Sequence, residues 1–331
     1  MRIGFTYDLQ TDPNLPFQAE YDSPETVEAI TQALRGAGHA VVPLGSADAL
    51  LRVLTTQART LDLVFNIAEG RTGRCRESWV PALLETAGVP YTGSGPSALA
   101  LALDKPAAKR LCQGEGIPTP RGTQVVPGGT LRLPPSLRFP LIVKPRHEGS
   151  AMGIDAVAVV HDREALEARV RWVASVYHES VLIEEFIAGG EATVCLIGND
   201  PPDALPVILR PLDPATGLAW HVGASSPRDP AQAVVPTALA PGLEAALQRY
   251  AVEVFTLLGC RDVARVDFRI SEAGQPYFLE INPLPNLSPE DSFGLMGEHL
   301  GIGYDGMIQR ILEAALARLR RPSVSPTFVL S

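Results

Sequence analysis

Strand-like and helix-like segments alternate along the N-terminal part of the chain, and this alternation restricts it to an α/β fold. Ser23 followed by Pro24 is a typical helix start, and Gly38 and Gly88 stand where helices typically end. The predicted strands are Ile3–Tyr7, His39–Leu44 and Leu61–Ile67, and the predicted helices are Pro24–Ala37 and Arg76–Ala87. Strands separated by such helices form βαβ units, so we expect a parallel sheet here.

The remainder of the chain predicts two further lobes. Its 331 residues suit two or three packed lobes, because domains commonly span about 100–200 residues. Further strands are predicted at residues 141–144, 157–160, 181–186, 192–197 and 205–209, and helices at 163–177 and 243–258. Strands at 263–270 and 277–281 flank Ala273-Gly274 and predict a hairpin. We therefore expect lobes at residues 1–104, 105–187 and 188–320.

Composition disfavours several classes of partner. The 37 acidic residues outnumber the 28 basic ones, and the net charge of −9 gives no field that would attract nucleic acid or anionic membranes. No apolar run approaches the ~18 residues of a membrane-spanning helix, and the start of the chain lacks a secretory pattern. The four cysteines are scattered, which favours reduced thiols over disulfides or a zinc site. We expect a cytoplasmic protein without nucleic-acid or membrane partners, with a homodimer as one possible assembly.

Lysine is rare in this chain, so its positions are informative. The lysines are Lys105, Lys109 and Lys144. Lys144 ends a predicted strand and precedes a turn that holds two glycines and Ser150. The N–H groups of such a turn can cradle phosphate oxygens while a lysine neutralises their charge. The turn predicts a phosphate site, and an ordinary hairpin connection is the alternative.

The predicted C-terminal hairpin gathers polar groups on one face. Arg265 and Asp267 lie two residues apart on one strand, and Glu280 and Asn282 lie two apart on the next, so each pair shares a face. Apolar residues alternate with them and would be buried on the opposite face. Oxygen ligands suit magnesium, and an adjacent arginine can stabilise an oxyanion or a phosphoryl group. The pattern predicts a metal and catalytic site, and a solvated salt-bridge cluster is the alternative.

Five ordered motifs together resemble the D-alanine–D-alanine ligases of the ATP-grasp superfamily. They are residues 89–95 (Val-Pro-Tyr-Thr-Gly-Ser-Gly) leading to Leu103-Asp104-Lys105, the turn 144–153, residues 181–187 with Gly190-Glu191, residues 265–267, and residues 280–283. The resemblance implies an α/β ATP-grasp fold of three lobes, the first a Rossmann-like pre-ATP-grasp domain. It also implies an ATP-dependent ligase that activates a carboxylate as an acyl phosphate and joins it to an amine. The substrates would be amino acids or short peptides.

The resemblance further implies the role of each matched residue, whereas Lys109, one helical turn beyond Lys105, is expected at the surface. Contacts to the ATP phosphates are expected from Lys105, Lys144, Glu148, Gly149 and Ser150. Contacts to adenine and ribose are expected from Glu184, Glu185, Phe186, Ile187 and Glu191. Magnesium, with manganese as an alternative, would be held by Asp267, Glu280 and Asn282. Arg265 and Ser150 would act on the reacting groups.

The chain departs from these ligases where the first substrate and the lid are expected. Their N-terminal Gly-Gly-x-Ser-x-Glu loop is absent, so Glu20 is a candidate either for receiving a substrate ammonium or for a solvated loop charge. Residues 68–77 replace a His-Gly-x-x-Gly-Glu-Asp run, which predicts a chemically different pocket. The expected lid lacks the tyrosine and lysine of these ligases, and His221 or Arg228 is the candidate substitute.

The acceptor end of the expected site differs as well. Ungapped counting places Asp291 where these ligases use a serine to receive the acceptor's carboxylate, whereas a shift of one residue restores Ser292. A carboxylate there would repel that of D-alanine unless a cation intervened, so we expect an acceptor with an amide, amine or basic group. The alternatives are a D-alanine–D-alanine ligase of cell-wall synthesis, a ligase for a specialised peptide, and a nucleotide-binding protein without turnover.

Overall fold

The first lobe is built on a three-stranded parallel sheet. The computed structural model describes residues 1–12, 15–57, 60–219, 235 and 239–320. The strands are β1 (Arg2–Thr6), β2 (Ala40–Gly45) and β3 (Leu63–Asn66), with β1 in the centre. The helices are α1 (Pro24–Gly36), α2 (Ala47–Gln57) and α3 (Trp79–Ala87), the last preceded by a 3-10 turn at Arg76–Ser78. The predicted parallel sheet is confirmed.

The helix boundaries of this lobe follow the predicted signals. The hydroxyl of Ser23 accepts the N–H of Thr26 at 3.2 Å, which satisfies one of the unpaired donors at the start of α1. Gly88 ends α3 with a φ of 67°, a left-handed conformation that strains residues with a Cβ atom. Local side-chain and backbone chemistry therefore sets where these helices begin and end.

The second lobe is a four-stranded antiparallel sheet covered on one face by a helix. The strands are β4 (Gly122–Val125), β5 (Leu141–Pro145), β6 (Val159–Val160) and β7 (Val181–Glu185), in the order β4-β7-β5-β6. The helix α6 (Arg163–Tyr177) buries Leu166, Val170 and Val173 against this sheet. Helices α4 (Pro96–Leu103) and α5 (Lys105–Gly114) lead into the lobe from the first. The sheet holds Lys144 opposite Leu182.

The third lobe contains the predicted hairpin within a five-stranded antiparallel sheet. The strands are β8 (Gly189–Gly198), β9 (Pro202–Ala204), β10 (Ile208–Arg210), β11 (Asp262–Ser271) and β12 (Pro276–Asn282). Helix α7 (Pro241–Leu257) packs against this sheet. In the hairpin, Arg265 pairs with Asn282 and Asp267 pairs with Glu280, which confirms that the predicted polar set shares a face.

The last two helices return to the first lobe. They are α8 (Ser292–His299) and α9 (Gly303–Arg320). Ile308 and Ile311 of α9 share a buried core with Ile30 of α1 and Ile197 of β8. The first and third lobes are therefore joined by one hydrophobic core. Among the described residues, no helix is both long and apolar enough to cross a membrane.

One predicted strand is wrong in its extent. Residues 205–209 were expected to form a single strand, but the structure has β9 before this segment and β10 at its end. Pro206 lies between them and lacks the N–H group that a continuous ladder would need. Both short strands pair with β8, so the sheet is kept while the strand is interrupted. Helices α2, α4, α8 and α9 were not predicted.

A buried carboxylate ties three parts of the fold together. Asp262 is fully buried at the start of β11. Its oxygens accept hydrogen bonds from Arg318 at 2.9 and 2.7 Å, from Asn199 at 2.9 Å and from the N–H of Gly93 at 2.9 Å. These donors come from α9, from the turn after β8 and from the first lobe. A buried charge with this many donors is well compensated, and its loss would leave them unpaired.

We predict that Asp262→Asn lowers the free energy of unfolding by about 3 kcal/mol, because Arg318 loses its charged partner. Urea denaturation followed by circular dichroism measures this change. The control is Asp203→Asn, which breaks an equally short ion pair with Arg310 at 2.7 Å, but at a site where the aspartate side chain is 64% exposed. That change should cost less than about 1 kcal/mol. Equal shifts for the two variants would contradict the role assigned to Asp262.

Candidate active site

A cleft between the second and third lobes gathers most of the predicted site residues. It encloses about 1340 Å³, its open mouth included. Of the residues predicted from the sequence, those that line it are Lys105, Lys144, Glu148, Gly149, Ser150, Glu184, Glu185, Phe186, Ile187, Glu191, Arg265, Asp267, Glu280 and Asp291. Glu20 and Asn282 line a smaller adjoining pocket, and Ser292 is buried beside Asp291. Residues distant in sequence thus share one site.

A buried triad of charges forms the floor of the cleft. Glu184 of β7 lies between two lysines, in contact with Lys109 of α5 and 2.8 Å from the Nζ atom of Lys144. Burial lowers the pKa of Lys109 to about 8, although Glu184 opposes this shift. Burial acts in the same direction on Lys144, but Glu184 and Glu280 outweigh it and raise the pKa of that lysine. Lys144 therefore carries its positive charge at neutral pH, and it lines the cleft.

The expectation that Lys109 lies at the surface is wrong. Its side chain is 5% exposed, because α5 packs its inner face toward the end of β7, where Glu184 needs a cation. Burying a carboxylate without a partner is costly. Lys109 supplies one partner from α5, and Lys144 supplies another from the cleft side. All three lysines of the chain are thus buried in or beside the cleft.

The turn after β5 is fixed from several sides. Arg146 binds Asp104 at 3.0 and 2.5 Å, and His147 contacts Glu179 at 2.6 Å. Gly153 has a φ of 72°, and an added Cβ atom would lie 2.8 Å from the ring of Pro145. These contacts hold the turn in one shape against α5.

The free groups of this turn face the cleft. Ser150 and Ala151 both have positive φ values, of 44° and 57°. Within the part of the chain that the structure describes, neither N–H group donates a hydrogen bond. Lys105 closes the other side, since its Nζ atom donates to the carbonyl of Glu148 at 2.5 Å. Free N–H groups beside a lysine form a concave site that suits an anion.

The polar face of the β11–β12 hairpin forms the opposite wall. Arg265 donates to Asp267 at 3.1 and 2.9 Å, and Asn282 donates to the same carboxylate at 3.2 Å. Glu280 lies 3.3 Å from the Nζ atom of Lys105. Burial alone would raise the pKa of Glu280, but Lys105, Lys144 and Arg265 outweigh it and lower the pKa to about 2. This carboxylate is ionised at any physiological pH.

These oxygens fit a divalent cation that also binds phosphates. Asp267, Glu280 and Asn282 present two carboxylates and one amide side by side. The described residues contain no cluster of three or more His, Cys, Asp or Glu side chains that could hold a metal ion by themselves. Magnesium commonly takes one or two carboxylates and completes its shell with substrate phosphates and water. The donor set is therefore chemically suited to a nucleotide-bound cation.

Arg210 is a site residue that the sequence reasoning missed. It extends from β10 to the start of α8, where it donates to Ser292 at 2.5 Å and to Asp291 at 3.2 Å. Arg265 lies 3.8 Å from the other oxygen of Asp291. Although burial would raise the pKa of Asp291, these two arginines lower it to about 2. No local pattern marks Arg210, because its position depends on the pairing of β10 with β8.

This arrangement corrects the argument made from Asp291. A bare carboxylate was expected to repel the carboxylate of an acceptor, but two guanidinium groups compensate its charge. Asp291 also accepts the N–H and the hydroxyl of Ser292, at 2.6 and 2.8 Å, as the cap of α8. The like-charge repulsion is therefore removed, and it no longer argues against D-alanine as the acceptor.

The remaining predicted residues are placed as follows. The carboxylate of Glu20 is bound to Arg76 at 2.7 and 2.9 Å and to the N–H of Gly149 at 2.9 Å. It thus joins the first lobe to the turn after β5 and is not a solvated loop charge. Glu191 lies 3.4 Å from Arg269, which also donates to the carbonyl of Ile187 at 2.9 Å. His221 and Arg228, the candidate lid residues, lie outside the described residues.

Comparison with known proteins agrees with this geometry. A family model described as D-ala D-ala ligase C-terminus matches residues 130–313. An uncharacterized protein of Sinorhizobium fredii is 36% identical over 299 residues, covering 88% of this chain and 87% of that protein. A D-alanine–D-alanine ligase of Pelotomaculum thermopropionicum is 32% identical over 304 residues, covering 89% of this chain and 92% of that protein.

A solved structure extends the likeness to the fold. The D-alanine–D-alanine ligase of Bacillus anthracis, in complex with ATP, matches with a TM-score of 0.75 over 96% of this chain and 98% of its own, at 22% identity. The fold and site thus define an ATP-grasp enzyme, an ATP-dependent ligase that forms a C–N bond. The chain belongs to the D-alanine–D-alanine ligase family. The predicted fold class, family and reaction class are confirmed.

We predict that Lys109→Met destabilises the protein by about 3 kcal/mol, because Glu184 then keeps one cation where it had two. Thermal and urea unfolding measure the effect. Arg110→Met, an exposed cation beside it on α5, should change the free energy of unfolding by less than about 0.5 kcal/mol. The double variant Lys109→Met/Glu184→Gln should be less destabilised than the sum of its single changes. Simple additivity would show that the two side chains do not interact.

Proposed function

We propose that this protein joins the carboxylate of one amino acid to the amine of a second amino acid or a short peptide, through an acyl phosphate. The observation that carries the proposal is the convergence of three sets of groups on one cleft. Lysines and free N–H groups face it from the second lobe, while Arg265 and the oxygens of Asp267 and Glu280 face it from the third. A pocket that reaches the first lobe adjoins this point. Such a site can hold phosphates beside a small carboxylate.

The adenosine part of ATP would bind beside the end of β7. We assign the adenine edge to the backbone of Glu185, Phe186 and Ile187, which line the cleft. Glu184 was expected to share this role, but both of its oxygens contact lysines, so it instead holds Lys144 toward the phosphates. Glu191 is a candidate for the ribose hydroxyls, since its only close ion pair among the described residues is the 3.4 Å contact with Arg269.

The phosphates would lie between the turn and the hairpin. Lys105, Lys144 and the N–H groups near Ser150 are the candidate donors to their oxygens. Asp267, Glu280 and Asn282 would hold magnesium, or manganese, whose positive charge would stabilise the negative charge of the transferred phosphoryl group. The site is proposed to function in the cytoplasm, where ATP is available.

In the proposed reaction, an oxygen of the donor carboxylate forms a bond to the γ-phosphorus while the bond from that phosphorus to ADP breaks. The amine then attacks the acyl carbon, and the tetrahedral intermediate loses inorganic phosphate and one proton to give the amide. Arg265 would stabilise the oxyanion, since it lines the cleft half-buried and is already oriented by Asp267. The chain mainly positions the reactants and compensates charge.

The acceptor would bind near the start of α8. Arg210 and Arg265 flank Asp291 there, and two guanidinium groups can receive a carboxylate as well as compensate one. A D-amino acid such as D-alanine is therefore a reasonable acceptor, in keeping with the named activity of the Pelotomaculum relative. The alternative is a nucleotide-binding protein without turnover. An assay of ADP release with amino-acid substrates distinguishes it from this proposal.

We predict that Lys144→Ala weakens ATP binding by about 10- to 150-fold, because a charge-assisted contact to phosphate is lost. Calorimetric titration with a non-hydrolysable ATP analogue measures the affinity. Arg163→Ala, an exposed cation on α6 of the same lobe, should bind the analogue normally. A folded Lys144→Ala protein with unchanged affinity would remove the phosphate role from this residue.

We predict that ADP release requires both a divalent cation and an amino-acid substrate, and that Glu280→Gln lowers kcat by about 100-fold or more. A coupled assay over a panel of D- and L-amino acids and dipeptides measures the rate. The variant should fold but melt at a lower temperature than the parent protein, because Lys105 loses its ion pair with Glu280 at 3.3 Å, so the rates are compared at a temperature where circular dichroism shows both proteins folded. ATP hydrolysis at one rate with and without every amino acid would contradict the proposed function.

A further inference from the structure

The smaller pocket beside the cleft is lined by four carboxylates and two cations. It shares Lys105, Arg265 and Glu280 with that cleft and extends to the first lobe. The first lobe contributes three carboxylates to its lining, Glu20, Glu69 and Glu77. Because the pocket meets the cleft beside Arg265, it is where the donor amino acid of the proposed reaction would lie.

Two of these carboxylates lack a compensating partner. Glu20 is paired with Arg76 at 2.7 Å, and Glu280 is paired with Lys105 at 3.3 Å. Within the part of the chain that the structure describes, the side chains of Glu69 and Glu77 accept no hydrogen bond and form no ion pair within 4 Å. Glu77 is nevertheless only 8% exposed, and it faces the pocket. An ionised carboxylate without a partner is costly at such a site, so a ligand that brings positive charge would be bound more tightly here than a neutral one.

The electrostatics of the pocket agree with the geometry. Burial, followed by repulsion from Glu20, raises the pKa of Glu77 to about 8, and the nearby Arg76 and Lys105 do not cancel this. Burial and repulsion from Glu77 and Glu20 raise the pKa of Glu69 in the same way. A ligand that brings positive charge would stabilise both ionised carboxylates.

A neutral-side-chain amino acid cannot compensate the pocket fully. Its carboxylate must point to Arg265 and the γ-phosphate, and its single ammonium can neutralise one glutamate. The second glutamate then keeps its proton, and its charge contributes nothing to binding. We propose that the pocket selects, as the amino acid whose carboxylate is activated, one that carries a second cation on its side chain, an amine or a guanidinium. This inference rests on the proposed function and names its donor class.

The test compares amino acids that differ mainly in the side-chain cation. Lysine, ornithine and arginine are assayed against norleucine and alanine, each as D- and L-isomers, alone and with D-alanine as a second substrate. Mass spectrometry of the product identifies which amino acid supplied the acyl carbon. We expect kcat/KM for a basic donor to exceed that for norleucine by about 10-fold or more, the effect of one charge-assisted contact.

Variants of the pocket glutamates then test whether the preference for a basic donor arises in this pocket. Glu77→Gln should reduce the ratio of kcat/KM for the basic donor to that for norleucine toward one, whatever its effect on either rate alone. Glu69→Gln provides the same readout if the first variant does not fold. Glu313→Gln, an exposed carboxylate on α9, is the matched control and should keep the parent ratio. Calorimetric binding of lysine and norleucine to the complex with an ATP analogue checks the preference without turnover.

The outcomes separate this inference from the function on which it rests. If neutral donors are activated as well as or better than basic ones, the donor class is wrong, and one glutamate holds a proton when the substrate binds. If the ratio survives both glutamate replacements, the preference arises elsewhere and the pocket assignment is wrong. If no amino acid stimulates ADP release, the proposed function fails and this inference fails with it.

Discussion

The site depends on the register between β11 and β12. Val266 and Ile281 oppose each other in this pairing, and both are buried in the core of the third lobe. Because side chains alternate along a strand, Arg265, Asp267 and Glu280 can only face the cleft. A slip of one residue on either strand would place a charge in the core, at a cost of several kcal/mol. Hydrophobic packing behind the sheet thereby fixes the chemistry in front of it.

The charged groups of the cleft between the second and third lobes compensate one another. Lys144 lies against Glu184, Lys105 against Glu280, and Arg265 against Asp267. Such pairs interact strongly at poorly hydrated sites, and they keep the cations oriented. A phosphate or carboxylate that enters would share these cations with their present partners and would not meet bare charges. This arrangement reconciles a stable fold with a site that holds many ionised groups.

Sequence periodicity predicted the elements that carry the hairpin and the first sheet, because alternation and helix caps are local signals. It could not place Lys109, whose burial depends on how α5 meets the end of β7, nor Arg210, which reaches the site through the pairing of β10 with β8. The repulsion argument at Asp291 failed for the same reason, since the compensating arginines come from other strands. Charge compensation is a tertiary property. A single sequence shows the charges but not their partners.

The contrast between the two pockets indicates which half of the molecule decides specificity. In the proposed function the groups of the second and third lobes meet ATP, which presents the same phosphates to every enzyme that uses it, so these groups can be paired in advance. The first lobe faces a variable substrate, and there Glu69 and Glu77 are left without protein partners among the described residues. Arg76 is already paired with Glu20 at 2.7 Å, so under the proposed donor preference the positive charge for Glu69 and Glu77 would come from the substrate. Under this proposal, substrate choice would depend on charge balance in the first-lobe pocket more than on the shape of the cleft between the second and third lobes.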